Sequence, residues 1–170
     1  SEKSHSLYKG DAFKLTATIA PSNADNKIVS WSSSDTNVAT VSSKGEVKAV
    51  GTGKAVITVK SDDGSYTDTC TVTVTYKPLS ARCSVGYYLE ISDGVSEGIQ
   101  AQVTPTGGSG GYTYYIELYC GNSLLATTTN STINNVKTTF LVNGTYTAKY
   151  TVRDSEGNEV SGVAQCKYER

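Results

Sequence analysis

The chain has 170 residues, a length that fits one or two domains. Its formal net charge is −1, with nine Lys/Arg against eight Asp/Glu in residues 1–78 and six against eight in residues 79–170. Neither half has the basic footprint of a phosphate-binding surface, which excludes nucleic acid as the expected partner. No apolar run approaches the roughly 18 residues of a membrane span, so membrane insertion is not expected.

Hydrophobic residues make up 37 % of the chain and charged residues 18 %, and Thr, Ser, Gly and Tyr fill the difference. β-Branched and aromatic side chains suit a pleated surface, and no stretch sustains helical i, i+3, i+4, i+7 apolar spacing. The expected fold class is therefore all-β. With no methionine, the chain is expected to be a processed product or a piece of a longer protein.

In chain order, "KLTATIAP" reads as the first strong strand, with Leu15, Ala17 and Ile19 on one face and a stop at Pro21. "IVSW" follows after the loop "SNADNK", and Val29 and Trp31 share its inward face. The hydroxyl-rich run after Trp31 reads as edge and turn, where Ser and Thr bond to nearby backbone. "GKAVITVKSDDGSYTDTCTVTV" is a strand, an Asp/Gly turn and a strand bearing Cys70. A short linker, "YKPLSA", contains Pro78, which cannot donate to a sheet ladder. The domains are expected at 1–78 and 79–170, as semi-rigid beads end to end.

Eighty-four residues after the first strand the plan repeats: "GIQAQVTP" places Ile99, Ala101 and Val103 on one face and stops at Pro105, with Gly94 at the offset of Gly10. The aromatic strand "YTYYIELYC" follows, then "GNSLLATTTNSTINN", which has no counterpart in the first half. "GTYTAKYTVRDSEGNEVSGVAQCKY" closes the second half with a hairpin. Short strands, regular turn signals and Pro-terminated strands are the cues for two immunoglobulin-like β-sandwiches of one topology.

The parts Pro21, "VSWSSSD", "VATV" (38–41), "GEVKAVGTG" (45–53) and "AVITV" (55–59) together resemble the bacterial immunoglobulin-like domain of group 2, over about residues 7–76. The resemblance implies a surface-exposed module without catalysis of its own. Such domains occur in adhesins and stalks, in phage virion proteins and beside polysaccharide-degrading enzymes. It agrees with Trp31 as a core residue. Residues 82–170 resemble, more loosely, the polycystic-kidney-disease type repeat, through "GGSGGYTYYI" and "NGTYTAKYTVRDSEGNE". Gly144-Thr145-Tyr146 looks like a tyrosine corner, whose hydroxyl bonds back to nearby backbone; Tyr150 and Val152 share its inward face.

Nine of the twelve tyrosines lie in the second half. If Tyr112, Tyr114, Ile116 and Leu118 point inward, Tyr115, Glu117 and Tyr119 point outward, beside Lys149 and Arg153 of a neighbouring strand. The repeat offset would instead set Tyr115 opposite Trp31 and bury it. Exposed tyrosines flanked by charge can stack on a sugar ring or anchor a protein, so Tyr115, Glu117, Tyr119, Lys149 and Arg153 are the candidate ligand-binding residues.

No catalytic residues are expected. His5 is the one histidine, and no nucleophile–base pair or phosphate loop is found. No metal and no cofactor are expected: Asp62, Asp63, Asp154, Glu156 and Glu159 lie in turns, where Asp is common for backbone reasons, without EF-hand spacing. Cys70, Cys83, Cys120 and Cys166 read as four free thiols, with a Cys83–Cys166 bond, between strands that could meet, as the alternative. The expected function is non-catalytic display and adhesion at a bacterial cell surface, extracellular, touching a surface polysaccharide or protein of a host or neighbouring cell, with the rest of a larger parent chain as a further partner. The alternatives are an Ig-like part of a phage virion and an accessory carbohydrate-binding region of a secreted polysaccharide-degrading enzyme.

Overall fold

The structure, a computed structural model, describes residues 2–63, 66–91, 95–139 and 141–169. Gly94, the counterpart of Gly10 in the repeat, lies outside them. Every regular element described is a strand, and the chain divides into two units, Ser1–Lys77 and Pro78–Arg170. Both are immunoglobulin-like β-sandwiches.

The first unit contains β1 (Ser4–Tyr8), β2 (Ala12–Lys14), β3 (Val29–Ser33), β4 (Ala39–Val41), β5 (Glu46–Ala49), β6 (Gly53–Ser61) and β7 (Thr67–Thr75). One sheet has the order β1-β7-β6-β3, with β1 parallel to β7, and the other has the order β2-β5-β4. Alternation decides the inward faces: Ala55 and Ile57 of β6 and Cys70, Val72 and Val74 of β7 are buried, and Val47 and Ala49 of β5 face them.

Trp31 packs against this core but is half-buried rather than enclosed. Its indole lies on Gly45: a Cβ there would stand 3.1 Å from Trp31 Cζ2 and 2.4 Å from the Leu15 carbonyl oxygen, and the φ of +78° is itself a glycine conformation. At Gly51 a Cβ would meet the Asn37 carbonyl oxygen at 2.5 Å. Two glycines of "GEVKAVGTG" are thus positions where backbone or indole comes too close for any side chain.

The hydroxyl run after Trp31 is spent on backbone. Ser33 Oγ donates to the Ala39 carbonyl (2.7 Å), Ser34 Oγ accepts from Val56 N (2.8 Å), and Ser42 Oγ accepts from Glu46 N (3.1 Å). The Asp35 carboxylate accepts from Asn37 N at 2.9 Å.

One expected strand is shorter than its pattern. "KLTATIAP" pairs only to Lys14, opposite Glu46. The β4–β5 hairpin turns at Gly45, whose carbonyl takes the Leu15 N–H, so, among the described residues, 16–20 have no strand to join. Their faces still alternate: Leu15 is buried, Ala17 and Ile19 half-buried, and Thr16, Thr18 and Ala20 exposed.

The second unit contains β8 (Ser80–Ile91), β9 (Val95–Thr106), β10 (Thr113–Cys120), β11 (Ser123–Ser131), β12 (Asn135–Thr138), β13 (Gly144–Arg153) and β14 (Glu159–Tyr168). Its sheets have the orders β11-β10-β13-β14 and β12-β9-β8. The expectation of one shared topology is corrected here. Both units keep the same central pairings, but the first strand joins β7 in unit one and β9 in unit two. The fourth strand also changes sheet: β4 pairs β5, whereas β11, made from the "GNSLLATTTNSTINN" segment, pairs β10. Pro105 does not end β9; it pairs with Ala81 near the strand's end.

The second core holds Ile99, Ala101 and Val103 against Ile116, Leu118 and Tyr146. The tyrosine corner forms as expected. Tyr146 is fully buried, and its hydroxyl accepts from Val142 N at 2.9 Å and donates to the Val142 carbonyl at 3.2 Å. Val152 is buried further along the same face of β13, and Tyr150 is half-buried, its hydroxyl donating to the Ala81 carbonyl at 3.1 Å.

Candidate contact face

The outward residues of β10 follow from strict alternation. Tyr114, Ile116 and Leu118 are buried, so Tyr115, Glu117 and Tyr119 emerge on the opposite side of the sheet. Tyr115 is 41 % exposed, which rules out the buried position that the repeat offset would have given it. The ladder sets their neighbours on β13: Tyr115 lies opposite Thr151, Glu117 opposite Lys149, and Tyr119 opposite Thr147.

One carboxylate ties the two rings together. Tyr115 Oη donates to Glu117 Oε1 (2.5 Å) and Tyr119 Oη donates to Glu117 Oε2 (2.9 Å). Lys149 Nζ sits 4.9 Å from the centre of the Tyr119 ring. Hydrogen bonds from Tyr115 and then Tyr119, with the Lys149 charge behind them, hold the Glu117 carboxyl below its ordinary range. The same bonds to Glu117 push both phenols up. Near neutral pH the face therefore carries one carboxylate, two neutral phenols and an ammonium, each engaged with another.

Arg153 stands apart from this group. It lies opposite Thr113 and Glu159 on the ladder, its Nε donates to Glu159 Oε1 at 2.7 Å, and its Nη2 lies 2.5 Å from the same oxygen. The structure thus joins Tyr115, Glu117, Tyr119 and Lys149, and it turns Arg153 toward β14.

The third strand of the face went unread in the sequence. Ser161 and Val163 of β14 line a shallow depression with Tyr115, Lys149 and Thr151. Val163 is 63 % exposed, and Thr151 Oγ1 and Ser161 Oγ are 2.6 Å apart. The period-two pattern of "EVSGVAQCKY" carried that information, but only the pairing of β13 with β14 shows which face it joins. Gly162 behind the depression admits the Tyr150 ring, whose hydroxyl would lie 2.4 Å from a Cβ there.

The acidic turns have local work. Asp154 is buried, and its carboxylate accepts from the backbone N–H groups of Ser109 (3.0 Å), Glu156 (3.0 Å) and Asn158 (2.9 Å) and from the Asn158 amide. The Asn158 amide, with those backbone donors, lowers its pKa to about 2. Glu159 holds Arg153, and the Asp62 carboxylate accepts from Asn26. Among the described residues no group of three or more His, Cys, Asp or Glu is placed to hold a metal ion. His5 stacks on Phe13 (ring centres 3.9 Å apart), and its Nδ1 lies 2.7 Å from Glu2 Oε1.

The four cysteines are free thiols. Cys120 and Cys166 both lie opposite Tyr146, one on each side of β13, two strand spacings apart. Burial pushes the Cys83 thiol up to about 11 and raises Cys166 and Cys70 as well.

Comparison with known proteins places the first unit. Residues 1–72 match the bacterial Ig-like domain (group 2). An Ig-like virion protein of Serratia phage KSP90 is 45 % identical over 75 residues, 44 % of this chain and 29 % of that protein. The kappa-carrageenase of Pseudoalteromonas carrageenovora is 45 % identical over 74 residues, 44 % of this chain and 19 % of the enzyme. An alpha-L-arabinofuranosidase of Bifidobacterium longum subsp. longum is 42 % identical over 76 residues, 45 % of this chain and 7 % of the enzyme. The matched stretch is about one Ig-like unit long in each case, and the chain spans less than a third of each relative. A virion protein and two glycoside hydrolases thus share this Ig-like module.

Proposed function

We propose that this chain is a non-catalytic display segment of a larger bacterial surface protein, and that its second unit makes weak contact with a carbohydrate or protein surface. The observation that carries this reading is the outward face of β10. Tyr115 and Tyr119 lie four residues apart on one strand, about 13 Å at the usual rise per residue, and both are locked to Glu117. Rings held in place lose little freedom on binding, which lowers the ordering cost of a weak contact. Aromatic faces take the apolar side of a sugar ring or a partner side chain, while the surrounding hydroxyls, Lys149, and Gln165 of β14, whose amide donates to Thr147 Oγ1 at 2.9 Å, offer polar contacts. The second unit's likeness to polycystic-kidney-disease type repeats belongs to the same proposal.

A second reading, an Ig-like part of a phage virion that touches the host surface, is favoured by two observations. One relative is an Ig-like virion protein, and the four thiols are unbridged, as suits assembly in a reducing cytoplasm.

The test is binding of the full chain to an array of bacterial and host polysaccharides and surface proteins, with Tyr115→Ala and Tyr119→Ala beside the wild type. Binding that falls in both variants supports the contact face. Silence from folded wild-type protein across the array leaves a spacer.

A further inference from the structure

The unpaired segment of the first unit lies beside an open cavity, and the two belong together. Residues 16–19 are extended, with alternating faces, and the chain bends at Ala20; among the described residues no hydrogen bond joins the backbone of 16–20 to a neighbouring strand. The last bond on this line is Leu15 N to the Gly45 carbonyl, 2.8 Å. Behind the segment is a half-open cavity of about 250 Å³, lined by Ala17, Ile19, Val29, Trp31, Val59 and Tyr66 among others. It exists because the β4–β5 hairpin is too short to cover this end of the β1-β7-β6-β3 sheet.

An exposed strand with free N–H and C=O groups is a template for another strand. An apolar hollow behind it takes the alternate side chains of whatever pairs there. Pockets for drug-sized ligands run from roughly 300 to 1,000 Å³; this one is smaller, the scale of one or two apolar side chains. Its charged lining residues are Glu2 and Asp68. Glu2 is met by the half-buried His5 ring and Asp68 by the exposed Lys3 side chain, and the exposed Lys3 ammonium is open to exchange with an incoming cation.

The geometry points to residues 16–20 as a strand-addition site, where an extended peptide of another protein, with apolar residues at alternate positions and a flanking Lys or Arg, pairs with the backbone and seats an apolar side chain against Trp31. This site is separate from the tyrosine face, so either can fail without the other.

Trp31 is the chain's one tryptophan, which makes its emission a direct reporter of the cavity. The probe is the acetylated, amidated octapeptide KTVTFTVK, titrated into the full chain while amide hydrogen exchange is followed by NMR. The control peptide KTPTFTPK lacks two backbone donors. Expected are a blue shift of Trp31 emission and at least tenfold slower exchange at alternate amides only, either 16, 18 and 20 or 17 and 19, because one added strand pairs one edge. The proline peptide should bind at least tenfold more weakly. Ala17→Phe, which fills the cavity, should abolish the shift. Thr18→Pro removes a donor that has no partner among the described residues, so the variant should fold normally and lose at least tenfold in affinity if the strand docks on the even-numbered edge. Should it instead dock on the odd edge, Ala17→Pro takes over that role.

Several results would overturn the inference. These are no change in Trp31 at millimolar peptide, equal binding of both peptides, or a Trp31 shift without alternate amide protection. A Trp31 shift produced by maltoheptaose, with no protection of residues 16–20, would give the cavity to a sugar. Protection that rises with protein concentration alone would give the edge to a second copy of this chain.

Discussion

Replacing Tyr146 with Phe isolates the contribution of one hydroxyl to the second unit. The ring is fully buried and stays so in the variant; what is lost includes the bonds to Val142 N (2.9 Å) and to the Val142 carbonyl (3.2 Å). A net intramolecular hydrogen bond contributes roughly 0.5–1.5 kcal/mol. Val142 is 39 % exposed, so water can reach its backbone and part of the loss is recovered. The expected cost is about 1–2 kcal/mol. For a unit of this size, 1 kcal/mol moves Tm by roughly 4–8 °C, so the transition of the second unit should fall by about 5–15 °C. Calorimetry of the full chain, with Tyr115→Phe as a surface control that leaves the transition in place, measures this. A shift of less than about 2 °C in Tyr146→Phe would show that the corner does not hold the loop before β13, and the reasoning would fail.

Other outcomes follow from the same physics. The pKa of Asp154 is depressed from its ordinary 3.8 to about 2, so its contribution to stability is complete above about pH 4 and is lost as pH falls through about 2. An acid titration followed by near-ultraviolet circular dichroism should show that loss in the wild type, and Asp154→Asn should lose stability at neutral pH and flatten the acid limb. Gly45→Ala forces a Cβ against the Leu15 carbonyl and Trp31 at a positive φ; the first unit should lose at least about 1–2 kcal/mol in a denaturant titration, with the second unit unchanged. With its thiol near 11, Cys83 has about a thousandth of its population as thiolate at pH 8, so Ellman's reagent should react with it in the folded chain at least a hundredfold more slowly than in denaturant.

The fold was legible where alternation or steric necessity leaves one choice. Val29 and Trp31, Ile99 to Val103, and Tyr146 to Val152 declare their faces at period two, and Gly144-Thr145-Tyr146 forecast a bond that the structure contains. Pairing partners were less legible, since a strand's pattern says which side is apolar and not which neighbour accepts its backbone. Residues 16–20 have a strand's pattern and, among the described residues, no backbone partner, because the hairpin that would pair with them ends at Glu46. The edge strands β1, β4, β8 and β11 change places between the units for the same reason: edge positions carry little apolar signal. At the contact face, the outward set on β10 and Lys149 followed from parity. The bond of Arg153 to Glu159 and the arrival of Ser161 and Val163 required the β13–β14 register. Asp154 drew notice as an acid in a turn; its role as acceptor for three backbone donors depends on Ser109, 45 residues away in sequence.

The most direct test of the contact face is residue-resolved. The full chain, titrated with whichever array polysaccharide or protein it retains, is followed by NMR at the tyrosine rings and the backbone amides. The account predicts shifts concentrated at Tyr115, Glu117, Tyr119 and Lys149 and their cross-strand neighbours Thr151 and Ser161, with the inward-facing Tyr114, Ile116 and Tyr146 unmoved. Shifts confined to other surfaces, with β10 and β13 silent at saturation, would contradict it.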